Sequence, residues 1–246
     1  MGLQRELESQ GQWLFRWRSF LPLAIAPLFG IALVNTSRPF GSYRFHEYWE
    51  FFCLGVSFTG LAIRVMTAGV VPADTSGRNT KSQLAASLNT SGVYSVVRHP
   101  LYVGNYLIGL GAALVPFEWW LATVYTLAYW IYYERIMFAE EQFLRAQFGA
   151  TFEEWARRTP AFLPKFKAWR PADYSFSIRT VLRREYTALL VVIALHAAIE
   201  TAEHWFIDGR IVYEIFWGCL LGFGVLSYLI VRSIKKNTQW LEQPGR

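Results

Sequence analysis

The 246-residue sequence predicts an all-α, polytopic membrane protein with about six transmembrane helices, and three observations carry that prediction. Hydrophobic residues make up 53% of the chain and charged residues only 17%, whereas soluble domains hold about 25% charged residues. Long apolar runs recur along it, and crossing a bilayer core about 30 Å thick takes about 20 apolar residues in a helix. The basic residues are segregated: of 24 Lys and Arg, all but Arg38, Arg44, Arg64 and Arg210 fall on one side of a six-span layout.

Taken in order, residues 11–19 (Gly-Gln-Trp-Leu-Phe-Arg-Trp-Arg-Ser) mix aromatic and basic side chains as an interfacial anchor does. They lack the basic, apolar and small-residue order of a signal peptide. Spans are predicted at 20–36, 48–71, 101–116, 118–134, 186–199 and 211–231. The second and sixth are long enough to cross alone, and the fifth is short. Only Pro116-Phe117-Glu118 separates the third from the fourth, so a tight helical hairpin is expected there. Positive charge marks the cytoplasmic face, which puts both termini and the two large non-spanning segments, 72–100 and 135–185, on the cytoplasmic side. This placement accounts for the formal charge of +6 without nucleic acid. With no targeting signal, the layout fits a bacterial cytoplasmic membrane. No repeat or linker divides the chain, so residues 1–246 read as one domain. Cys53 and Cys219 lie in apolar runs and are expected to be buried, reduced thiols.

Chemistry is expected in the two large segments. The first runs from Thr75 through Arg78 and Lys81 to Ser91-Gly-Val-Tyr-Ser-Val-Val-Arg-His-Pro-Leu-Tyr-Val-Gly-Asn-Tyr106. Proline is well placed at a helix start, where its missing N–H is unneeded. Arg98 and His99 should then sit at the mouth of the third span, where free N–H groups and a guanidinium can receive a carboxylate or phosphate. A positive-inside anchor with an interfacial histidine uses the same residues. The second segment continues the fourth span out of the membrane through Glu134, Arg135, Glu140 and Glu141 to Arg145, and Gly149 is expected to end that helix in a left-handed cap. Its carboxylates can cap a polar pocket or pair with Arg145. Arg64, an intramembrane charge near the end of the second span, is a functional lead by default. Gly104, Gly109 and Gly111 allow close packing of the third span. His46, His196 and His204 fall on the opposite side from these segments, so no metal site is expected.

Taken together, the two segments resemble the isoprenylcysteine carboxyl methyltransferase and phospholipid methyltransferase superfamily. Gly92-Val-Tyr94-Ser-Val-Val-Arg98-His99-Pro100-Leu-Tyr102-Val-Gly104 matches that family's first pattern throughout. Glu140-Glu141-Gln-Phe-Leu144, Phe148-Gly149, Phe152, Pro160 and Pro164 follow the second, with Trp155 where a tyrosine is usual. The motif region is 90–166, and the spans within 186–231 are accessory. The resemblance implies a cytoplasmic cofactor site for S-adenosylmethionine and a membrane lipid or lipidated acceptor entering from the bilayer. Under it, Arg98 takes the carboxylate of the cofactor or the acceptor. His99, Pro100, Tyr102 and Tyr106 shape the cofactor pocket, Gly104 lets the cofactor approach the backbone, and Glu140 and Glu141 take its ammonium or ribose hydroxyls. Arg98 and Glu141 are the expected catalytic pair, and Arg64, Arg78 and Lys81 the expected acceptor-binding residues.

Sulfonium methyl transfer is an in-line displacement from an activated leaving group, so placement and exclusion of water suffice. An anionic oxygen needs no general base, whereas a protonated amine must first lose a proton. The basic cytoplasmic surface favours a carboxylate or phosphate oxygen on a lipid or prenylated molecule. The rivals are an amine headgroup, a sterol-type membrane reductase using a nicotinamide cofactor, and a transporter or scaffold without cofactor.

Overall fold

A computed structural model describes residues 2–18, 20–72, 85–212, 214–243 and 245. Among them the chain is helical, with no strand beyond one isolated bridge between Gly92 and Arg170. Eight α-helices follow in order: α1 Leu3–Trp17, α2 Ala26–Asn35, α3 Tyr43–Gly69, α4 Pro100–Leu114, α5 Trp119–Phe148, α6 Ala150–Arg158, α7 Ile178–Asp208 and α8 Ile215–Asn237.

Among the described residues three helices are long and apolar enough to cross a membrane: α3 with 27 residues, α7 with 31 and α8 with 23. The other predicted spans fall short for separate reasons. The first breaks into a 3-10 turn over Leu21–Ile25 and the ten-residue α2, with Pro27 at its N-terminal turn. The 15-residue α4 rises about 22 Å at 1.5 Å per residue, less than a bilayer core. The 30-residue α5 is long enough, but its second half carries the charged run Glu134 to Arg145. Exposed apolar side chains continue along the three spanning helices, among them Phe51 and Phe52 on α3 and Phe223, Leu226 and Ile230 on α8.

The helices pack as α3 against α4 and α7, α7 against α8, and α1 against α5. The α3–α4 seam is made by small residues. A Cβ on Gly60 would meet the Gly104 carbonyl, and one on Gly104 would lie 2.7 Å from Gly60 O and 2.6 Å from Arg64 Cγ. Further along the seam, Gly111 sits against Ser57 and the Cys53 carbonyl. Residues 11–17 do not lie free as an anchor: within α1 they dock on the charged second half of α5, with Gly11 against the Arg135 carbonyl and Phe15 in the core beside Tyr133 and Ile136. The expected hairpin is present, α5 starting five residues after α4 ends, with Phe117 at φ 57°. Gly149 has the expected positive φ, 52°, but ψ is −124° rather than left-handed helical, so one glycine both ends α5 and caps α6. Cys53 is buried as expected, whereas Cys219 is exposed on α8.

The seam separates two glycines of one helix. Gly60→Val forces backbone apart at α4 and should cost about 1–3 kcal/mol, as overpacking does. Gly55→Ala, whose added methyl meets nothing within 4 Å, should be neutral or stabilise by about 0.5–1 kcal/mol through helix propensity. Thermal unfolding of both variants in detergent measures the contrast.

Candidate functional site

The site forms where α4 begins and α5 leaves the apolar layer. Gly92, at φ 57° and ψ −132°, turns the chain where a side chain would be strained, and its N–H donates to Arg170 O at 3.1 Å. The stretch to His99, which opens with a 3-10 turn over Val93–Ser95, then pairs with the segment after α6. Arg98 N donates to Pro160 O at 2.9 Å, His99 N to Ala161 O at 3.2 Å, and Lys165 N to Val96 O at 2.9 Å. Trp155, at the position where the family has tyrosine, donates from Nε1 to Tyr94 O at 3.1 Å. The two motif segments, some 60 residues apart in sequence, are thus joined before their charged side chains meet.

Those side chains form one ionic network. Arg98 donates from Nε to Glu141 Oε1 at 2.9 Å and from Nη1 to the carbonyls of Ala156 and Thr159, both at 2.7 Å. Its Nη2 takes part in none of these bonds. His99 lies between the paired carboxylates, with Nε2 3.0 Å from Glu141 Oε1 and Nδ1 3.5 Å from Glu140 Oε2. Tyr102 donates from its hydroxyl to Glu140 Oε1 at 2.6 Å. His99 is 7% exposed, whereas the Glu140 and Glu141 side chains keep 19% and 18% exposure and stay within reach of a ligand.

Burial alone would lower the His99 pKa, but hydrogen bonds and charge from Glu140 and Glu141 outweigh it and raise it above 6.5. Burial likewise pushes Glu141 up, and the bonds and charges of His99 and Arg98 bring it below 4.5. The two carboxylates thus favour the protonated form of the imidazole between them.

Beneath the network lies an aromatic wall. The Tyr102 and Tyr133 rings are 4.7 Å apart, Tyr129 stacks on Tyr133 at 4.1 Å, and the Tyr129 hydroxyl donates to Tyr102 O at 2.6 Å. Tyr106, one turn deeper, meets Thr126 Oγ1 at 3.1 Å and the edge of Phe162. Pro100 occupies the first helical position of α4, and Gly104 turns toward α3, where glycine is required for helix contact.

Arg64 stands apart from the network. It binds Glu185 Oε2 of α7 through Nε and Nη2, both at 2.8 Å, and Asn105 of α4 through Nη1. It therefore ties three helices together one turn from the motif. Arg78 and Lys81 lie outside the described residues. Asn105, Glu185, Thr159 and Tyr133 are the partners that the sequence alone did not reveal. A groove of about 830 Å3 adjoins the network through Thr159 without containing it, lined by Trp155, Arg157, Arg158, Lys165, Lys167 and Arg170.

Comparison with known proteins bears on this region. Residues 51–151 match the phospholipid methyltransferase family. The chain is 43% identical over 86 residues to the cobalt-zinc-cadmium resistance protein CzcN of Cupriavidus metallidurans, covering 34% of this chain and 38% of that one. It is 36% identical over 90 residues to protein-S-isoprenylcysteine O-methyltransferase of Xenopus laevis, covering 37% and 31%. A probable protein-S-isoprenylcysteine O-methyltransferase of Oryza sativa subsp. indica is 29% identical over 126 residues, covering 48% of this chain and 63% of that one. The chain thus spans about a third to two thirds of the length of these relatives. No solved structure matches it.

The two pKa directions set a pH window. Glu141 contributes stability that is complete above 4.5 and lost as pH falls through its lowered folded value. His99 contributes stability that is complete below 6.5 and lost as pH rises through its raised folded value. Both contributions are whole between pH 4.5 and 6.5. The stability difference between wild type and Glu141→Gln should peak in that window and narrow on either side, as thermal unfolding against pH will show. In the same variant the ring 15N shifts of labelled His99 should report a lower pKa than in wild type.

Proposed function

We propose that this chain is an integral membrane methyltransferase, a reading supported by the match of residues 51–151 to the phospholipid methyltransferase family and by the likeness to protein-S-isoprenylcysteine O-methyltransferase. It uses S-adenosylmethionine and methylates a carboxylate or phosphate oxygen of a lipid or prenylated molecule. The observation that carries the reading is the Arg98–His99–Glu140–Glu141 network, which joins both motif segments and offers donors and acceptors side by side.

The donor set fits the cofactor's charges. The Nη2 of Arg98 suits a carboxylate, the exposed edges of Glu140 and Glu141 suit an ammonium or ribose hydroxyls, and the tyrosine wall offers flat apolar surface. The cofactor, when bound, supplies a methyl group on a leaving sulfonium. The protein's part is to hold the acceptor oxygen in line and exclude water. His99, when protonated, keeps the two carboxylates from repelling each other and leaves Arg98 its cationic edge. The basic groove from Trp155 to Arg170 is suited to an anionic headgroup at the entrance. Under this reading the chain crosses the membrane about six times, with both termini and the site on the cytoplasmic side, and α2 and α4 reach across only as part of the packed bundle. The names of the methyltransferase relatives favour a carboxylate oxygen as acceptor.

Calorimetric titration of detergent-purified protein with S-adenosylmethionine should give micromolar binding, weakened at least tenfold in Arg98→Ala and in Glu141→Gln. Methyl transfer to a prenylcysteine carboxylate, and not to phosphatidylethanolamine, should follow. Transfer to the amine lipid alone would replace the acceptor, and binding of NADPH without S-adenosylmethionine would replace the methyltransferase with a reductase.

A further inference from the structure

At the opposite end of the bundle from Arg98, α3 and α7 bring five titratable side chains together inside the protein. His46 and Glu50 lie one turn apart near the start of α3, and Glu200, Glu203 and His204 occupy one face near the end of α7. The 15-residue α4 spans the distance between the two sites, about 22 Å at 1.5 Å per residue. Its first residue follows His99, and its last, Leu114, accepts a bond from Trp49 beside this cluster.

We propose that His46, Glu50, Glu200 and Glu203 form a binding site for a divalent transition-metal ion, with His204 and Glu214 adjoining it across Glu200. One ligand atom from each of the four lies within 4.8 Å of the others, and the same holds for Glu200, His204 and Glu214. None of the four is more than 6% exposed. Glu203, at 1%, points Oε2 toward His46 Nε2 at 3.9 Å with no hydrogen-bond partner, and Glu200 Oε2 also lacks one. Glu50 Oε1 is 2.9 Å from His46 Nε2 yet out of hydrogen-bond alignment. Buried polar atoms are normally bonded, and three carboxyl groups converge here beside two histidines with no lysine or arginine among them. A divalent ion would supply both the missing bonds and positive charge.

The surrounding groups hold the ligands as an ion would need them held. Asp208 lies 2.8 Å from His204 Nδ1, which leaves Nε2 facing Glu200 at 3.1 Å and Glu214 at 3.7 Å. Arg38 in turn grips both Asp208 oxygens at 2.7 Å. Such carboxylate–histidine pairs orient metal-binding imidazoles. Thr36 Oγ1 lies 3.2 Å from Glu203 Oε1, and the Tyr43 hydroxyl donates to Glu214 Oε1 at 2.6 Å. Imidazole and carboxylate without thiolate suit zinc, cobalt, nickel, manganese or ferrous iron. Metal–ligand bonds of about 2.0–2.2 Å require the four donors to draw in by less than about 1 Å. The ion would staple α3, α7 and the start of α8 together, whether or not the chain transfers methyl groups.

Tag-free protein, stripped with chelator and titrated with Co(II), should bind at least one equivalent, with visible d–d bands and no thiolate charge-transfer band. Zn(II) should displace it and raise the melting temperature. Glu203→Gln and His46→Gln should weaken binding at least tenfold, while Cys219→Ala, altering an exposed thiol elsewhere on α8, should leave the spectrum unchanged. Folded wild-type protein that gives no d–d bands and no zinc-dependent melting shift would overturn the proposal. So would binding that survives both ligand substitutions.

Discussion

The contact between His99 and the Glu140–Glu141 pair is the interaction on which the site depends, because it closes a helix start onto a helix that continues past the apolar layer. Removing carboxylates and a guanidinium from water is costly, and only close, fully hydrogen-bonded pairing repays it. Here each charge has a close partner of opposite sign, and the free edges that remain face the solvent side. His99 faces both carboxylates, Arg98 binds Glu141 and two carbonyls, and Tyr102 completes Glu140. Loss of one member leaves the rest with buried, uncompensated charge, so the network should behave as a unit.

That unit is held in place by two mechanical features. The glycine seam brings α4 against α3 closely enough for Arg64 to reach Asn105 and Glu185, which ties α7 to the same level. The backbone pairing of residues 92–99 with 160–170 holds the loop after α6 beside the network, and the end of α6 supplies the carbonyls that Arg98 binds. Polar groups at both ends of the bundle are therefore positioned by helix packing that is itself apolar or small-residue in character.

The residues of the candidate site were legible in sequence because they are locally grouped. Arg98, His99 and Pro100 are consecutive at a helix start, and Glu140 and Glu141 are adjacent on one helix. Helix class and most helix positions followed from the apolar runs. Span length did not, since short runs interrupted by Pro27 and Pro116 and the charged continuation of α5 leave three helices that qualify alone. Long-range partners were not legible either. Arg64 looked like a lone charge because Glu185 stands 121 positions away. His46, His196 and His204 were placed opposite the motif segments with no metal site expected, and the carboxylates that α3 and α7 bring to His46 and His204 were not legible. Periodicity says which face of a helix is polar, not which other helix will meet it.

Cofactor binding by the network is tested most directly by the ring 15N spectrum of histidine-labelled protein during titration with S-adenosylhomocysteine. The His99 resonances should shift saturably, with those of His46, His196 and His204, all away from the network, unmoved. Binding that saturates while His99 stays unchanged would contradict it and put the cofactor elsewhere.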